Sequence, residues 1–133
     1  MKKQSCTIQV RVYYQDTDAG GVVYHAQYLS FMERARSELL NEAGIDLARF
    51  TREHGVLFVV FQIAVTYHQP ARLNERLTVS AEVVKMGRAR LVFRQRVERE
   101  AELLCEADVT LAIVDRERMK PARMPEELAQ ALT

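Results

Sequence analysis

The chain carries little that would tie it to a metal, a membrane or a nucleic acid. Its 133 residues include two cysteines, Cys6 and Cys105, in no redox or metal-ligating spacing, so both read as reduced bystanders. The three histidines, His25, His54 and His68, share no zinc-ligand spacing either, and no metal is expected. Nineteen basic against eighteen acidic residues leave a net charge of +1, which removes the broad electropositive footprint of a dedicated nucleic-acid binder. Any recognition of a polyanion must therefore be local. No apolar run approaches the roughly 20 residues of a membrane span, and the Met1–Cys6 segment leads into a strand pattern instead of a signal-peptide core. A cytoplasmic protein without a membrane span is expected. No stretch rich in glycine, serine or proline marks a linker, and 48% hydrophobic content suffices for a real core, so residues 1–133 are expected to form a single domain.

What is present is ordered by periodicity. Ile8, Val10, Val12 and Tyr14 alternate with Gln9, Arg11 and Tyr13, the period of a half-buried strand. Tyr28, Met32, Ala35 and Leu39 then recur at helical spacing, with Glu33, Arg34, Ser37 and Asn41 on the other side. Gly44 stops that helix, and Ile45 to Gly55 reads as an irregular, charged connection. Val56 to Val60, continued by Ile63, Val65 and Tyr67, predicts one long strand, buried on both faces at its start and ended by Pro70. Leu77 to Val83, Leu91 to Val97 and Leu103 to Ile113 give three more alternating sets, separated by turns at Lys85–Arg88 and at 99–102. Pro125-Glu126-Glu127-Leu128 opens a short closing helix.

Strands joined by hairpins, with one long amphipathic helix, predict an α+β fold in which an antiparallel five-stranded sheet wraps around the helix. Apolar residues such as Val84 and Val92 on the opposite sheet face predict a homo-oligomer.

The segment Asp16-Thr17-Asp18-Ala19-Gly20-Gly21-Val22-Val23-Tyr24-His25 stands between the first strand and the helix. As a calcium loop it fails, because its fifth position would be Gly20 and its twelfth Gln27. It also lacks the lysine and spacing of a phosphate-binding loop. What remains is a carboxylate beside the unpaired N–H groups of a helix start, which can stabilise an oxyanion while the carboxylate attacks a carbonyl or activates water. Acyl transfer fits these parts, with the glycines allowing close approach of a ligand and Val22-Val23-Tyr24 lining an apolar slot. A turn-capping role for Asp16 or Asp18 is the plain alternative.

The run from Val12 to Tyr28, followed by Phe31-Met32-Glu33-Arg34-Ala35-Arg36, resembles the signature of the 4-hydroxybenzoyl-CoA thioesterase family of hot-dog proteins. Within that family the resemblance is greatest to acyl-CoA thioesterases associated with the bacterial Tol-Pal system. It extends to Tyr67-His68-Gln69-Pro70-Ala71-Arg72-Leu73 and to Met119-Lys120-Pro121-Ala122-Arg123-Met124-Pro125. The resemblance implies hydrolysis of an acyl-CoA thioester to a free acid and coenzyme A. Asp18 would be the catalytic carboxylate, as nucleophile or general base, and the His25 backbone N–H the oxyanion donor. The His25 imidazole as a base is the lesser alternative. Asp16 is assigned a turn-shaping role, His54 and His68 structural ones, and Glu33 a place on the surface beside Arg34 and Arg36.

Tyr24 is expected at the substrate, and the basic turn Gly87-Arg88-Ala89-Arg90 sits where related proteins hold the phosphates of coenzyme A. Arg94 and Arg96 extend that basic strand or pair with acids of the last strand. No cofactor is expected beyond coenzyme A as part of the substrate, with acyl carrier protein as an alternative carrier and a dimer or tetramer as the assembly. A hot-dog enoyl-CoA hydratase and a non-catalytic acyl-binding scaffold are the competing readings.

Overall fold

The computed structural model describes residues 5–133, so most of the Met1–Cys6 lead-in lies outside the described residues. The chain runs β1 (Ser5–Arg11), a 3-10 turn (Tyr14–Asp16), α1 (Gln27–Glu42), α2 (Leu47–His54), β2 (Val56–Tyr67), β3 (Arg76–Met86), β4 (Arg90–Arg99), β5 (Glu102–Asp115) and α3 (Glu126–Leu132). The five strands form one antiparallel sheet in the order β1-β3-β4-β5-β2, with α1 packed against β1, β3 and β4. This is the sheet wrapped around a helix that the strand and helix periodicities predict, and the hot-dog fold that the resemblance implies.

Alternation decides which residues meet α1. The cross-strand rows Ile8–Val79–Val97–Cys105–Tyr67 and Val83–Phe93–Val109–Ile63 run along the inner face. Tyr28, Met32, Ala35 and Leu39 come down on that face, and all are at most 3% exposed. Burying each large side chain contributes about 1.5–3 kcal/mol, so this shared stripe is what fixes the helix on the sheet. One buried bridge crosses it: Arg36 donates to Gln95 Oε1 at 2.8 Å, and Gln95 Nε2 donates to the Met32 carbonyl at 2.9 Å. Burial lowers the pKa of Arg36, with the charge of Glu33 opposing. Glu33 is exposed as expected, whereas Arg36, expected beside it on the surface, makes its contact into the core.

Four further expectations are corrected. The 45–55 connection is not irregular: α2 forms there, with the Asp46 carboxylate accepting the Arg49 N–H at its N-terminus and Gly55 in the left-handed conformation at its C-terminus. β1 stops at Arg11, so Tyr14 does not continue the inward phase and is 82% exposed. β2 is an edge strand, not one buried on both faces, and Val60 and Phe61 are about half exposed, at 51% and 52%. In β5 the inward phase shifts at a bulge opposite Val97 and Glu98, burying Leu104 in place of Leu103.

The C-terminal helix is latched from outside as well as packed from inside. Leu128 and Leu132 are fully buried, while the Glu127 carboxylate accepts Arg49 Nη2 at 2.8 Å and meets His54 Nε2 at 2.9 Å. Hydrogen bonding from Arg49, then from His54, holds the Glu127 carboxyl below its usual range. Its contribution is therefore present at neutral pH and lost as pH falls through that lowered value.

If α2 is held by its ends, Asp46→Ala and Gly55→Ala should each lower stability by about 1 kcal/mol and add when combined, as read by urea denaturation.

Candidate functional site

The loop between β1 and α1 is closed by a carboxylate. Asp16, 3% exposed, accepts the Tyr13 N–H on Oδ2 at 2.8 Å and the Gln27 side-chain amide on Oδ1 at 2.9 Å. Its own carbonyl accepts the Tyr24 N–H at 2.9 Å. Bridges from Thr17 to Val23 and from Val22 to Arg72 flatten the rest of the loop onto the neighbouring chain. Asp16 thus has the turn-shaping part given to it from sequence.

Asp18 sits at the tip of this frame and is exposed. Its Oδ1 accepts the Gly20 N–H at 2.8 Å, and a Cβ at Gly20 would lie only 3.2 Å from that same oxygen. The glycine lets backbone and carboxylate approach this closely. Among the described residues the adjacent His25 and Ala26 N–H groups have no protein acceptor, whereas Val23, Tyr24 and Gln27 around them all donate. An unpaired N–H one residue before the N-cap of α1 is a ready oxyanion donor.

Asp18, Val22, Val23 and His25 form one side of a cavity of about 340 Å³. Tyr28, Tyr67, His68, Gln69 and Pro70 complete its lining. The two tyrosines meet edge to face at 5.5 Å, and each is tied to the backbone. The Tyr28 hydroxyl accepts the Ala71 N–H at 2.9 Å, and the Tyr67 hydroxyl donates to the His25 carbonyl at 2.7 Å. Burial raises the pKa of both phenols, so they act as neutral hydrogen-bonding groups at neutral pH. Opposite Tyr67 in the sheet lies Cys105, whose thiol is pushed up to about 12 by burial.

The other sequence-derived residues divide. Tyr24 is 48% exposed and lies tilted against the His25 ring, with centroids 4.4 Å apart, outside the lining of the Asp18 cavity. Arg88 and Arg90 are not brought to Asp18 in this chain. With Lys85, Gln62 and Thr110 they border a second cavity of about 460 Å³, where the Arg90 guanidinium lies 3.8 Å above the Phe61 ring. Arg94 pairs with Asp108 of β5, the ion-pair alternative expected for it. His68 bonds Glu106 at 2.8 Å. A larger depression of about 720 Å³ by β1, lined by Glu82, Arg94, Arg96 and Glu106, contains none of the loop residues.

One group among the described residues brings three ligating side chains within 4.8 Å: Glu53, His54 and Glu127. The Arg49 guanidinium already bonds both carboxylates, so the group is an ion-pair latch. The sequence reading missed Tyr67 as a hydrogen-bond donor to the helix start. Its signal was present, since Tyr67 falls in the inward phase of β2 immediately before the His68–Pro70 segment.

The profile of the thioesterase-like superfamily matches residues 12–132. The chain belongs to the thioesterase-like superfamily. Among its relatives in that superfamily, the acyl-CoA thioesterase YbgC of Haemophilus influenzae is 44% identical over 122 residues, covering 92% of this chain and 90% of its own. The acyl-CoA thioester hydrolase YbgC of Escherichia coli is 47% identical over 120 residues, covering 90% and 89%. A probable thioesterase from Bartonella henselae matches in structure with a TM-score of 0.85 at 34% identity, over 91% of this chain and 99% of that one. The resemblance seen in the loop motif and the expectation of a thioester-hydrolysing enzyme both hold at the level of this superfamily.

Asn at position 16 would offer one acceptor where two donors converge. Asp16→Asn should therefore lower stability by about 1–3 kcal/mol, measured by chemical denaturation, while the exposed Asp18→Asn should change it little.

Proposed function

We propose that this chain, acting as one thioesterase domain over residues 1–133, hydrolyses acyl-CoA thioesters to a free carboxylic acid and coenzyme A. One observation carries the reading: a carboxylate, Asp18, shares a cavity with His25, whose backbone N–H is left unpaired at the start of α1. A thioester carbonyl placed between them would be polarised by the N–H as the Asp18 carboxylate attacks it, or as that carboxylate takes a proton from an attacking water. Either route breaks the carbon–sulfur bond, expels the coenzyme A thiolate and ends in the acid after water has been added. The His25 imidazole has no part in it. Tyr67 holds the His25 carbonyl and so fixes the peptide that follows the donor.

The reaction calls for no metal and no separate cofactor, because coenzyme A belongs to the substrate. Its phosphates are assigned to the basic turn at Arg88 and Arg90, and Tyr24 to the flank of the same ligand. Acyl carrier protein is the alternative carrier. Since that turn borders a different cavity from Asp18, the pantetheine arm is taken to cross between subunits of a dimer or tetramer. The unpaired edge of β2, with Val60 and Phe61 half exposed, and Val84 on the outer face support such an assembly. No helix among the described residues is long and apolar enough to cross a membrane, which accords with the proposed cytoplasmic location. A working link to the Tol-Pal system rests on the resemblance alone.

Free thiol released from a panel of aromatic, short and long acyl-CoAs tests the reaction. Asp18→Asn should lower kcat by about 10²- to 10⁴-fold in a protein that remains folded, and undiminished turnover would reject the assignment. Light scattering on the purified protein should give a dimer or tetramer mass; a fully active monomer would reject the shared site.

A further inference from the structure

The segment after β5 has no part in the proposed chemistry, although it is bound at both ends. Beyond Asp115 the chain turns back: Pro121 bridges Val114, and the Ala122 N–H donates to the Ile113 carbonyl at 2.9 Å. Two residues later the Met124 N–H donates to the Arg88 carbonyl at 2.7 Å. The basic turn is therefore held from both sides, since the Ile113 N–H also donates to the Ala89 carbonyl at 2.8 Å. The strap continues into α3, and there Glu127 bonds Arg49 and His54 of α2.

We propose that Glu127 is a positioning residue for the basic turn, holding the 121–125 strap, through the α3 latch, in the place from which Met124 fixes the backbone of Arg88. This rests on the assignment of Arg88 and Arg90 to the phosphates of coenzyme A. The link between Glu127 and the turn is backbone restraint. Arg88 and Arg90 project from a hairpin tip, where a loose turn spreads its guanidinium groups over many positions and each bound phosphate must pay the entropy of ordering them. The Met124 hydrogen bond removes that freedom before the ligand arrives. Glu127 touches neither the turn nor the Asp18 cavity, so its loss should weaken capture of the nucleotide end and leave the bond-breaking step alone.

The test compares the acyl-CoA turned over fastest by the full-length wild type with the same acyl group on pantetheine, which lacks the nucleotide. Glu127→Ala is expected to raise KM for the acyl-CoA about three- to fivefold, as suits loss of a partly exposed ion pair, with kcat and the pantetheine KM unchanged. Amide hydrogen exchange at Met124 should quicken in parallel. Glu127→Gln, which keeps the side-chain length and an acceptor oxygen, should give a smaller rise in that KM alone. If wild type shows the split between the two thioesters and Glu127→Ala preserves it, or lowers kcat equally on both, the positioning role is overturned. If wild type binds both thioesters equally, the assignment of the basic turn falls, and this inference with it.

Discussion

The two hydrogen bonds on the Asp16 carboxylate hold the candidate site together. They join the end of β1 to the first turn of α1 across the whole loop, so the place of Asp18 and the direction of the His25 N–H follow from one buried side chain. A loop of this length with two adjacent glycines would otherwise sample many shapes. Here it is over-determined, by Asp16 from within and by the Thr17–Val23 and Val22–Arg72 bridges from either side. The acid given no chemical part is the one that fixes where its neighbour Asp18, the proposed catalytic carboxylate, stands.

The sheet serves the same end from the opposite wall. Tyr67 reaches the cavity because β2 is long, and its position at the strand's end sets its hydroxyl on the His25 carbonyl. The placement is tolerant of sequence change at most outer positions and intolerant of a register slip. A shift by one residue would turn Tyr67 away and bring Thr66 inward.

How much of this was legible depends on how local each determinant is. The core stripe of α1 and the alternation of β3, β4 and β5 could be read directly, because burial on one face imposes a period on the residues themselves. α2 went unread although both of its end signals, Asp46 and Gly55, stand in the sequence. Eight residues hold barely two turns, and the charges Arg49, Arg52 and Glu53 masked a stripe consisting mainly of Phe50. The edge position of β2 was not readable at all, because strand order depends on pairings between residues tens of positions apart. Arg36 shows a third kind of failure: its charge suggested solvent, yet it follows Met32 by four and so faces the core, where Gln95 receives it. In the site, the chemistry of the loop left Asp16 and Asp18 interchangeable, and only the family pattern separated them.

Cys105 is fully buried behind the cavity and is not part of its lining. Its thiol lies directly across the sheet from Tyr67, and with the proposed thioester substrate a thiolate there would compete with water as an acyl acceptor. Burial pushes its pKa up to about 12, so at neutral pH it stays a thiol. On the proposed reading, packing of the inner sheet face, ordinarily a matter of stability alone, also keeps a second nucleophile out of the reaction.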